Sequence, residues 1–425
     1  MSNSVNTMQP SWMEFDKESG FTLENIPFGI FKTAHKDARA ATRIGDNVID
    51  LAVLADFEYF NEVEKFDGNS LHQKTLNNFI ALGKVCTSKV RLRIADLFST
   101  YNNELKLNKQ ALELCMHKID EVEMLMPVSV GDYTDFYSSI EHATNVGIMF
   151  RDPANALFPN WKHLPVGYHG RSSSIVVSGT PIHRPHGQTK QESASKPEYG
   201  PSQSMDFELE MAFVTGNKTN LGDQISVVDA KDHIFGLLIF NDLSARDIQK
   251  WEYVPLGPFL GKNFGSVVSP WIVTLEALEP FWVDGPKQEP EVLSYLKTTG
   301  KGNLNIDLEV YLQPENEAPF KVTHSNMKYL YWNVAQQLAH HTVNGCNINV
   351  GDLYASGTIS GPMPDSYGSM LELSWKGTKP IKLPNGAERR FIEDNDTIIM
   401  KAYAKNEHYC VSFGEVTTKI LPAKT

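Results

Sequence analysis

Alternating apolar and polar residues dominate the chain after residue 128 and predict a mostly β-structured region. Short segments rich in β-branched and apolar residues are separated by Gly/Pro turns such as the one at 178–181. The predicted strands cover 174–177, 206–215, 233–241, 268–275, 305–312, 370–374 and 397–404. The clearest helix in this part is predicted over 332–343, so a sheet of parallel strands alternating with helices is disfavoured.

The N-terminal part has a different pattern, in which short strands precede helices. Strands are predicted within 28–54, with a hairpin turn at 45–47, and helical spacing follows over 71–82 and 105–122. Pro127 cannot continue the second helix, and the composition then changes to Gly, Asp, Tyr and Ser. At 425 residues the chain also exceeds the usual size of one hydrophobic core. We therefore predict two domains, 1–127 and 128–425.

One predicted strand carries two carboxylates on the same face. In the segment 207–213, Glu208 and Glu210 alternate with apolar residues. Residues two apart in a strand point the same way, and a rise of about 3.3 Å per residue is small enough for both carboxylates to share one hard cation. The alternative is a half-exposed strand with two solvated glutamates. The metal site is favoured only if other acids converge on this face.

A second group of reactive side chains lies at 132–145. Asp135 and Tyr137 come just before Ser138 and Glu141, whose spacing is a capping box that predicts a helix start with His142 in its first turn. The segment thus offers a third oxygen ligand, a hydrogen-bond donor and a candidate general base. The alternative is a capped helix with a surface histidine.

A third group joins the end of an apolar strand to a loop rich in Gly, Pro and aromatic residues. The strand ends at Asp242, a second capping-box pattern follows at 244–247, and the loop 251–266 contains Lys262. Asp242 can join the two glutamates, and the lysine can hold an ammonium close to a substrate oxyanion. The alternatives are an ordinary turn at Asp242 and a solvated lysine.

Composition narrows the classes of function. The formal charge of -12 argues against binding to nucleic acid or anionic membranes, and the apolar run 234–240 is much shorter than the about 20 residues of a membrane span. The four cysteines form no C-x-x-C pair and the polar start lacks a secretory signal, so we expect reduced thiols and a cytosolic protein. The sequence lacks G-x-G-x-x-G, H-E-x-x-H, G-x-S-x-G and Walker A motifs, which argues against a nucleotide-binding site or a zinc site. Carboxylates suit Mg²⁺, Ca²⁺ or Mn²⁺.

Several long motifs, taken in order, resemble those of the fumarylacetoacetate hydrolase family. They occupy 132–145, 163–171, 206–211, 241–249, 251–265 and 356–361. The resemblance implies a mainly β protein with some α, in which a small N-terminal SH3-like β-barrel domain precedes a C-terminal mixed β-sandwich and roll. It also implies a homodimer that hydrolyses a carbon–carbon bond of a small diketo acid. The substrate would be 4-fumarylacetoacetate and the products fumarate and acetoacetate, in the last step of tyrosine and phenylalanine catabolism.

The resemblance further implies metal ligands. A Ca²⁺ or Mg²⁺ ion, with Mn²⁺ as a further candidate, would be held by Asp135, Glu208, Glu210 and Asp242. A second cation is implied near Asp242, Lys262 and Ser266. Family members usually carry Thr at the position of Ser266, and this departure keeps the hydroxyl.

Catalytic and substrate-binding roles also follow from the resemblance. His142 would take a proton from water, oriented by Glu372 on the predicted strand 370–374, while Lys262 and Gln249 would stabilise the oxyanion. The substrate would be held by Tyr137, Arg151, Tyr168, Gln249, Tyr253 and Thr358. Leu243 stands where Trp is common, which affects local packing, and the lead-in 1–22 is longer than usual with no assigned role.

Two other classes of function remain as alternatives. One is another enzyme of the same superfamily, an acylpyruvate hydrolase, isomerase or oxaloacetate decarboxylase that acts on a smaller keto acid. The N-terminal domain and the run 142–145 argue against it. The other is a non-catalytic binding protein on the same fold, against which the presence of every expected site residue argues.

Overall fold

A computed structural model of the chain describes residues 10–425, which form a mainly β structure with short helices. The part of the lead-in before residue 10 lies outside the described residues. The α-helices are α1 (Leu51–Asp56), α2 (Asn77–Ile80), α3 (Lys84–Leu97), α4 (Glu104–Leu107), α5 (Lys109–Cys115), α6 (Ile140–Phe150), α7 (Arg246–Glu252), α8 (Val334–Thr342) and α9 (Met370–Leu373). None of the described helices is long and apolar enough to cross a membrane.

The strands account for most of the regular structure. The first thirteen are β1 (Gly29–Lys32), β2 (Arg39–Ile44), β3 (Asn47–Asp50), β4 (Met116–Lys118), β5 (Glu123–Leu125), β6 (Tyr133–Phe136), β7 (Gly167–His169), β8 (Ile175–Val177), β9 (Ile182–His183), β10 (His186–Thr189), β11 (Glu198–Pro201), β12 (Met205–Asp206) and β13 (Leu209–Thr215). The others are β14 (Ile234–Asp242), β15 (Ser244–Ala245), β16 (Ser266–Val268), β17 (Val273–Thr274), β18 (Trp282–Val283), β19 (Asn303–Leu304), β20 (Asp307–Gln313), β21 (Phe320–Asn326), β22 (Leu353–Ala355), β23 (Ile381–Lys382), β24 (Glu388–Arg389), β25 (Thr397–Lys405) and β26 (Cys410–Leu421).

An antiparallel sheet in the order β4-β3-β2-β1-β5 organises the N-terminal part. The predicted hairpin joins β2 to β3, and its turn requires glycine because Gly45 has a φ of +56° and a Cβ there would lie 2.4 Å from the Cβ of Phe15. The helix predicted over 105–122 is wrong beyond Cys115, since the chain then enters β4 and pairs with β3. Only α2 and the end of a 3₁₀ turn occur within 71–82.

The central sheet has the order β7-β6-β22-β13-β14-β16-β8, with β17 paired to β14. Strands β13 and β14 are antiparallel neighbours at its centre, and every residue of both is buried. The alternative of a half-exposed strand with two solvated glutamates at 207–213 is therefore wrong. Polar side chains in these two strands face protein, so they need partners of their own.

Burial of β13 and β14 results from packing on both faces. One face packs against a second sheet, β21-β20-β25-β26-β9, in a core that includes Met211, Ile239 and Val416. The other face packs against the N-terminal part, where Ile30 belongs to the same core as Val214. The central sheet is thus the middle layer of the molecule.

Two further predictions near the site need correction. The strand predicted over 370–374 is the helix α9, because the Ser369 side chain accepts a hydrogen bond from Glu372 N–H and starts a helical turn. A composition rich in Gln, Ser, Lys, Pro and Gly over 186–204 predicts an exposed loop, but this segment contains the hairpin β10–β11, which rests on α7. A Cβ at Gly187 would lie 2.6 Å from Cδ1 of Ile248.

Candidate active site

Four carboxylates from separate elements meet at one end of the central sheet. Asp135 lies in β6, Glu208 just before β13, Glu210 in β13 and Asp242 at the end of β14. One oxygen atom of each lies within 4.8 Å of the corresponding oxygens of the others, and all four side chains are buried. Because β22 pairs with both β6 and β13, the register of the sheet brings Asp135 next to the two glutamates. We call these four residues the acidic cluster.

Two members of the acidic cluster each have one oxygen without a partner in the described structure. Asp135 Oδ1 and Glu210 Oε1 are buried without a hydrogen-bond partner. Burial, reinforced by the neighbouring carboxylates, raises the pKa of both groups. A buried set of like charges with unpartnered oxygens fits a cation bound between them, and an all-oxygen donor set suits Mg²⁺, Ca²⁺ or Mn²⁺.

The other two members are neutralised by cationic side chains. Lys262 Nζ donates to Asp242 Oδ2 at 2.7 Å and also to Glu208 Oε2, while Arg246 Nη2 donates to Glu208 Oε1 at 2.7 Å. Burial alone would raise the pKa of Glu208, but Lys262 and Arg246 outweigh it and lower that pKa. Ser266 Oγ donates to Asp242 Oδ1 at 2.9 Å. Lys262 has a raised pKa, because its two acidic partners outweigh its burial.

His142 and Glu372 form a buried pair beside the acidic cluster. The helix α6 starts at Ser139, whose side chain accepts a hydrogen bond from His142 N–H, so the predicted cap at Ser138 is one residue early. His142 Nδ1 lies 2.7 Å from Glu372 Oε2. Glu208 forms an isolated β-bridge with Ser369, whose hydroxyl donates to Glu372 Oε2, so the pair lies next to the acidic cluster.

Glu372 is held in place by three further donors. Asn145 Nδ2 donates to its Oε1 at 2.9 Å, and the hydroxyls of Ser360 and Ser369 donate to its Oε2 at 2.9 and 2.8 Å. Burial alone would raise the pKa of Glu372, but His142 and these hydrogen bonds lower it. The carboxylate is therefore ionised and fixed in orientation, which suits it to orient an imidazole.

The remaining predicted residues divide into two groups. Four lie at the site: Tyr137 packs edge-on against His142, Tyr168 OH is 3.5 Å from Asp242 Oδ2, Thr358 Oγ1 is buried without a partner in the described structure, and Gln249 Oε1 accepts from Arg246 Nη1 at 3.2 Å. The other two make different contacts: Arg151 Nη2 donates to the Ala156 carbonyl and its guanidinium stacks on Phe158, and Tyr253 is 51% exposed.

Sequence reasoning missed the residues that support the site. Asn145 and Arg246 lie within the motifs that were singled out. Asn145 follows His142 by one helical turn in α6, and Arg246 starts α7 shortly after Asp242. Asp206, Ser360 and Ser369 carried no local signal, because their partners are distant in the sequence. The capping box predicted at 244–247 is absent, since Ser244 lies in β15 and Asp247 accepts hydrogen bonds from residues 202 and 203.

Two family models match the chain. The model described as Fumarylacetoacetase N-terminal matches residues 24–127, and the one described as Fumarylacetoacetate (FAA) hydrolase C-terminal matches 133–420. A fumarylacetoacetase from Dictyostelium discoideum is 54% identical over 419 residues, which cover 97% of this chain and 98% of that protein. The chain belongs to the fumarylacetoacetase family.

Further comparisons support the same family assignment over almost the whole chain. The fumarylacetoacetase of Arabidopsis thaliana is 48% identical over 415 residues, covering 97% of this chain and 98% of that protein. The solved structure of a fumarylacetoacetate hydrolase from the psychrophile Exiguobacterium antarcticum has a TM-score of 0.51 at 17% sequence identity, covering 94% of this chain and all of that one. That likeness shows the mainly β fold of the fumarylacetoacetase family. The acidic cluster, His142 and Glu372 all lie within the C-terminal family match.

Proposed function

We propose that the chain hydrolyses 4-fumarylacetoacetate to fumarate and acetoacetate, the last step of tyrosine and phenylalanine catabolism. The observation that supports this proposal most strongly is the buried His142–Glu372 pair beside the acidic cluster, in a chain that belongs to the fumarylacetoacetase family. A general base next to a cation site is what cleavage of a carbon–carbon bond by water requires. The base activates the water, and positive charge stabilises the carbanion that leaves.

The acidic cluster is the proposed cation site. Ca²⁺ or Mg²⁺, with Mn²⁺ as a further candidate, would bind the oxygens of Asp135, Glu208, Glu210 and Asp242, and supplies Lewis acidity that stabilises the enolate of the leaving group. A second cation is proposed near Asp242, Lys262 and Ser266. The ammonium of Lys262 has no lone pair, so Lys262 would contribute its backbone carbonyl oxygen while Ser266 contributes its hydroxyl.

His142 and Glu372 are proposed to activate the water. With Nδ1 held by the ionised Glu372, the imidazole is left with Nε2 to accept the proton of a water molecule. The water oxygen then bonds to the ketone carbon of the fumaryl group, which becomes the second carboxylate of fumarate and releases the remaining water proton. When the carbon–carbon bond breaks, its electron pair goes to the acetoacetate fragment, which takes up at carbon the proton held by His142, while the fumaryl fragment leaves as fumarate.

The oxyanion is proposed to lie against cationic and amide donors. Lys262 is a buried ammonium at the acidic cluster, and Arg246 holds Gln249 Oε1, which leaves the Nε2 amide of Gln249 available as a donor. Preorganised donors of this kind stabilise charge that develops during the reaction. Lys262 and Gln249 would therefore donate hydrogen bonds to the negatively charged substrate oxygen that forms when water adds.

The other polar residues around the site are proposed to bind the substrate. Tyr137, Tyr168 and Thr358 line the site, and the unpartnered hydroxyl of Thr358 is placed for a ligand atom. Arg151 and Tyr253 come from the segments that flank the site, and a guanidinium can bind both oxygens of a substrate carboxylate. Two carboxylates in the substrate explain why several cationic and hydroxyl side chains are needed.

The finer organisation of the protein is proposed along the same lines. Residues 1–127 would form an SH3-like domain, and 128–425 the catalytic domain as a mixed β-sandwich and roll. We also propose that the chain acts in the cytosol as a homodimer without nucleic-acid or membrane partners, in keeping with a formal charge of -12. Size-exclusion chromatography with light scattering tests the dimer directly.

The proposed function is tested by following the ultraviolet absorbance of 4-fumarylacetoacetate with the purified protein and Mg²⁺ or Ca²⁺. We expect the absorbance to fall, with fumarate and acetoacetate formed in equal amounts. Activity on oxaloacetate or acylpyruvates instead would favour the rival superfamily enzymes. A protein that binds the metal and acts on none of these substrates would be a binding protein on the same fold.

Replacing Glu210 by glutamine is expected to have opposite effects with and without metal. Glu210 Oε2 accepts a hydrogen bond from Gly357 N–H at 2.9 Å, but its Oε1 is buried without a partner. Removing an uncompensated buried charge should stabilise the metal-free protein by at least about 1 kcal/mol, while loss of a ligand should weaken metal binding. Thermal unfolding in chelator and with added Mg²⁺ measures both. A metal-free variant less stable than wild type would contradict the cation site.

A further inference from the structure

Asp206 is a fully buried carboxylate to which the proposed chemistry assigns no role. It ends the short strand β12, and both of its oxygens are engaged. Oδ1 accepts a hydrogen bond from Met370 N–H at 2.6 Å, and Oδ2 accepts one from Leu371 N–H at 3.2 Å. Oδ2 also accepts a hydrogen bond from Arg246 Nε at 2.7 Å. Asp206 thus bonds to two segments that both carry residues of the site.

The first of these segments is the helix α9, which carries Glu372. With four residues, α9 is much shorter than a helix that is stable by itself, so outside contacts must hold it. Its first N–H groups are capped by Asp206 at Met370 and Leu371 and by Ser369 at Glu372. The direction in which the Glu372 side chain leaves the helix therefore depends on Asp206.

The second segment is the start of α7, which carries Arg246. While Nε bonds to Asp206, Nη2 donates to Glu208 Oε1 at 2.7 Å and Nη1 donates to Gln249 Oε1 at 3.2 Å. A guanidinium is planar, so fixing one nitrogen limits where the other two can lie. The orientation of Glu208 and Gln249 therefore also depends on Asp206.

We propose that Asp206 is a positioning residue that aligns the base pair His142–Glu372 with Glu208 and Gln249. One carboxylate sets the orientation of Glu372 through α9 and the orientation of Glu208 and Gln249 through Arg246. The proposal rests on the proposed function. The alignment matters only if the water activated by His142 and Glu372 attacks a substrate bound at Glu208 and Gln249. Asp206 itself touches neither substrate nor metal.

The test is the variant Asp206→Asn, which keeps the shape of the side chain. The new NH₂ group faces Met370 N–H if it replaces Oδ1, or both Leu371 N–H and Arg246 Nε–H if it replaces Oδ2. All three are donors, so at least one of the three hydrogen bonds is lost. We expect kcat to fall by about 10- to 100-fold. KM should change less than kcat, because Gln249 is the one residue proposed to hold the substrate whose orientation is argued to depend on Asp206.

A matched control separates positioning from general destabilisation. Asp50 is also fully buried, caps α1 by accepting from Val53 N–H at 3.2 Å, and pairs with Lys36 Nζ at 2.9 Å. Asp50→Asn therefore removes the same kind of capping, ion-paired carboxylate from the N-terminal part. It should lower the melting temperature without lowering kcat. Equal kcat values for Asp206→Asn and Asp50→Asn would overturn the proposal.

A spectroscopic readout tests the alignment without any turnover. The Nδ1–H proton of His142, shared with Glu372 at 2.7 Å, should give a downfield NMR signal, assigned by its absence in His142→Ala. Asp206→Asn should shift or broaden this signal, whereas Asp50→Asn should leave it unchanged. If wild type proved inactive on 4-fumarylacetoacetate, this measurement would still decide the role of Asp206.

A second variant covers the case in which Asp206→Asn does not fold. Arg246→Lys keeps a cation beside Asp206 and Glu208 but cannot span three acceptors. It touches neither His142 nor Glu372, so the proposal expects a shift of the His142 signal in this variant, transmitted through Asp206 and α9. An unchanged signal would refute the coupling. In double variants with Glu372→Gln, Asp206→Asn should add little further loss of kcat, and full additivity would count against it.

Discussion

Replacing His142 by alanine is expected to lower kcat for 4-fumarylacetoacetate by about 10²- to 10⁴-fold. The imidazole is oriented by Glu372 at 2.7 Å and lies beside the acidic cluster, so its loss leaves the attacking water without this base. The measurement is the rate of absorbance loss at saturating substrate and metal. Metal affinity, determined by calorimetry, should remain at the wild-type value because His142 is not a proposed ligand.

The melting temperature of His142→Ala should change little, which separates chemistry from folding. Glu372 keeps its hydrogen bonds to Asn145, Ser360 and Ser369, so its buried charge retains partners. His340→Ala is the matched control, since His340 is a half-buried histidine with a 3.0 Å hydrogen bond to Tyr295 OH. That control should keep wild-type kcat. A fully active His142→Ala protein would refute the assignment of His142 as the general base.

Replacing Lys262 by methionine is expected to lower kcat by about 10²- to 10³-fold without weakening metal binding. Lys262 is the buried ammonium proposed to face the oxyanion, and it is bonded to Asp242 and Glu208. Removing a cation from two proposed metal ligands leaves them more negative, so metal affinity should hold or rise. In chelator, however, the variant should unfold more easily, because the two carboxylates lose their partner.

Glu208→Gln should show the reverse pattern and serves as the companion variant. It removes a proposed ligand charge, so calorimetry should detect a strong loss of metal affinity. Lys36→Met is the matched control for the lysine, because Lys36 also pairs with a buried carboxylate, Asp50, but far along the chain from the acidic cluster. The Lys36→Met variant should keep the wild-type kcat. Equal metal affinities for wild type and Glu208→Gln would contradict the ligand assignment.

The strands could be predicted from the sequence where apolar and β-branched residues form a long run. The runs leading to β13, β14, β20 and β25 combine apolar and β-branched residues, and the structure confirms them. Their two-sided burial could not be foreseen, because it depends on which layers pack against the sheet. The helix α3 escaped prediction altogether for a related reason: its apolar positions form no clear stripe, and its burial comes from packing.

At the site, residue types could be predicted but connections could not. The alternation of Glu208 and Glu210 indicated a shared face, and the structure brings both together with Asp135 and Asp242. Glu372 was predicted on a strand, because alternation over five residues cannot be told from one short helical turn. Its support by Asp206 depends on residues more than 160 positions apart, which no local pattern records.

The two-sided packing of the central sheet makes the N-terminal part a structural component of the catalytic apparatus. Ile30 and Phe79 share a core with Val214 and Phe240, which lie in the strands that carry Glu210 and Asp242. A truncation that removed the N-terminal layer would expose this apolar surface to water. In a saturation screen for activity, inactivating substitutions should therefore cluster at these remote N-terminal core positions as well as around the acidic cluster.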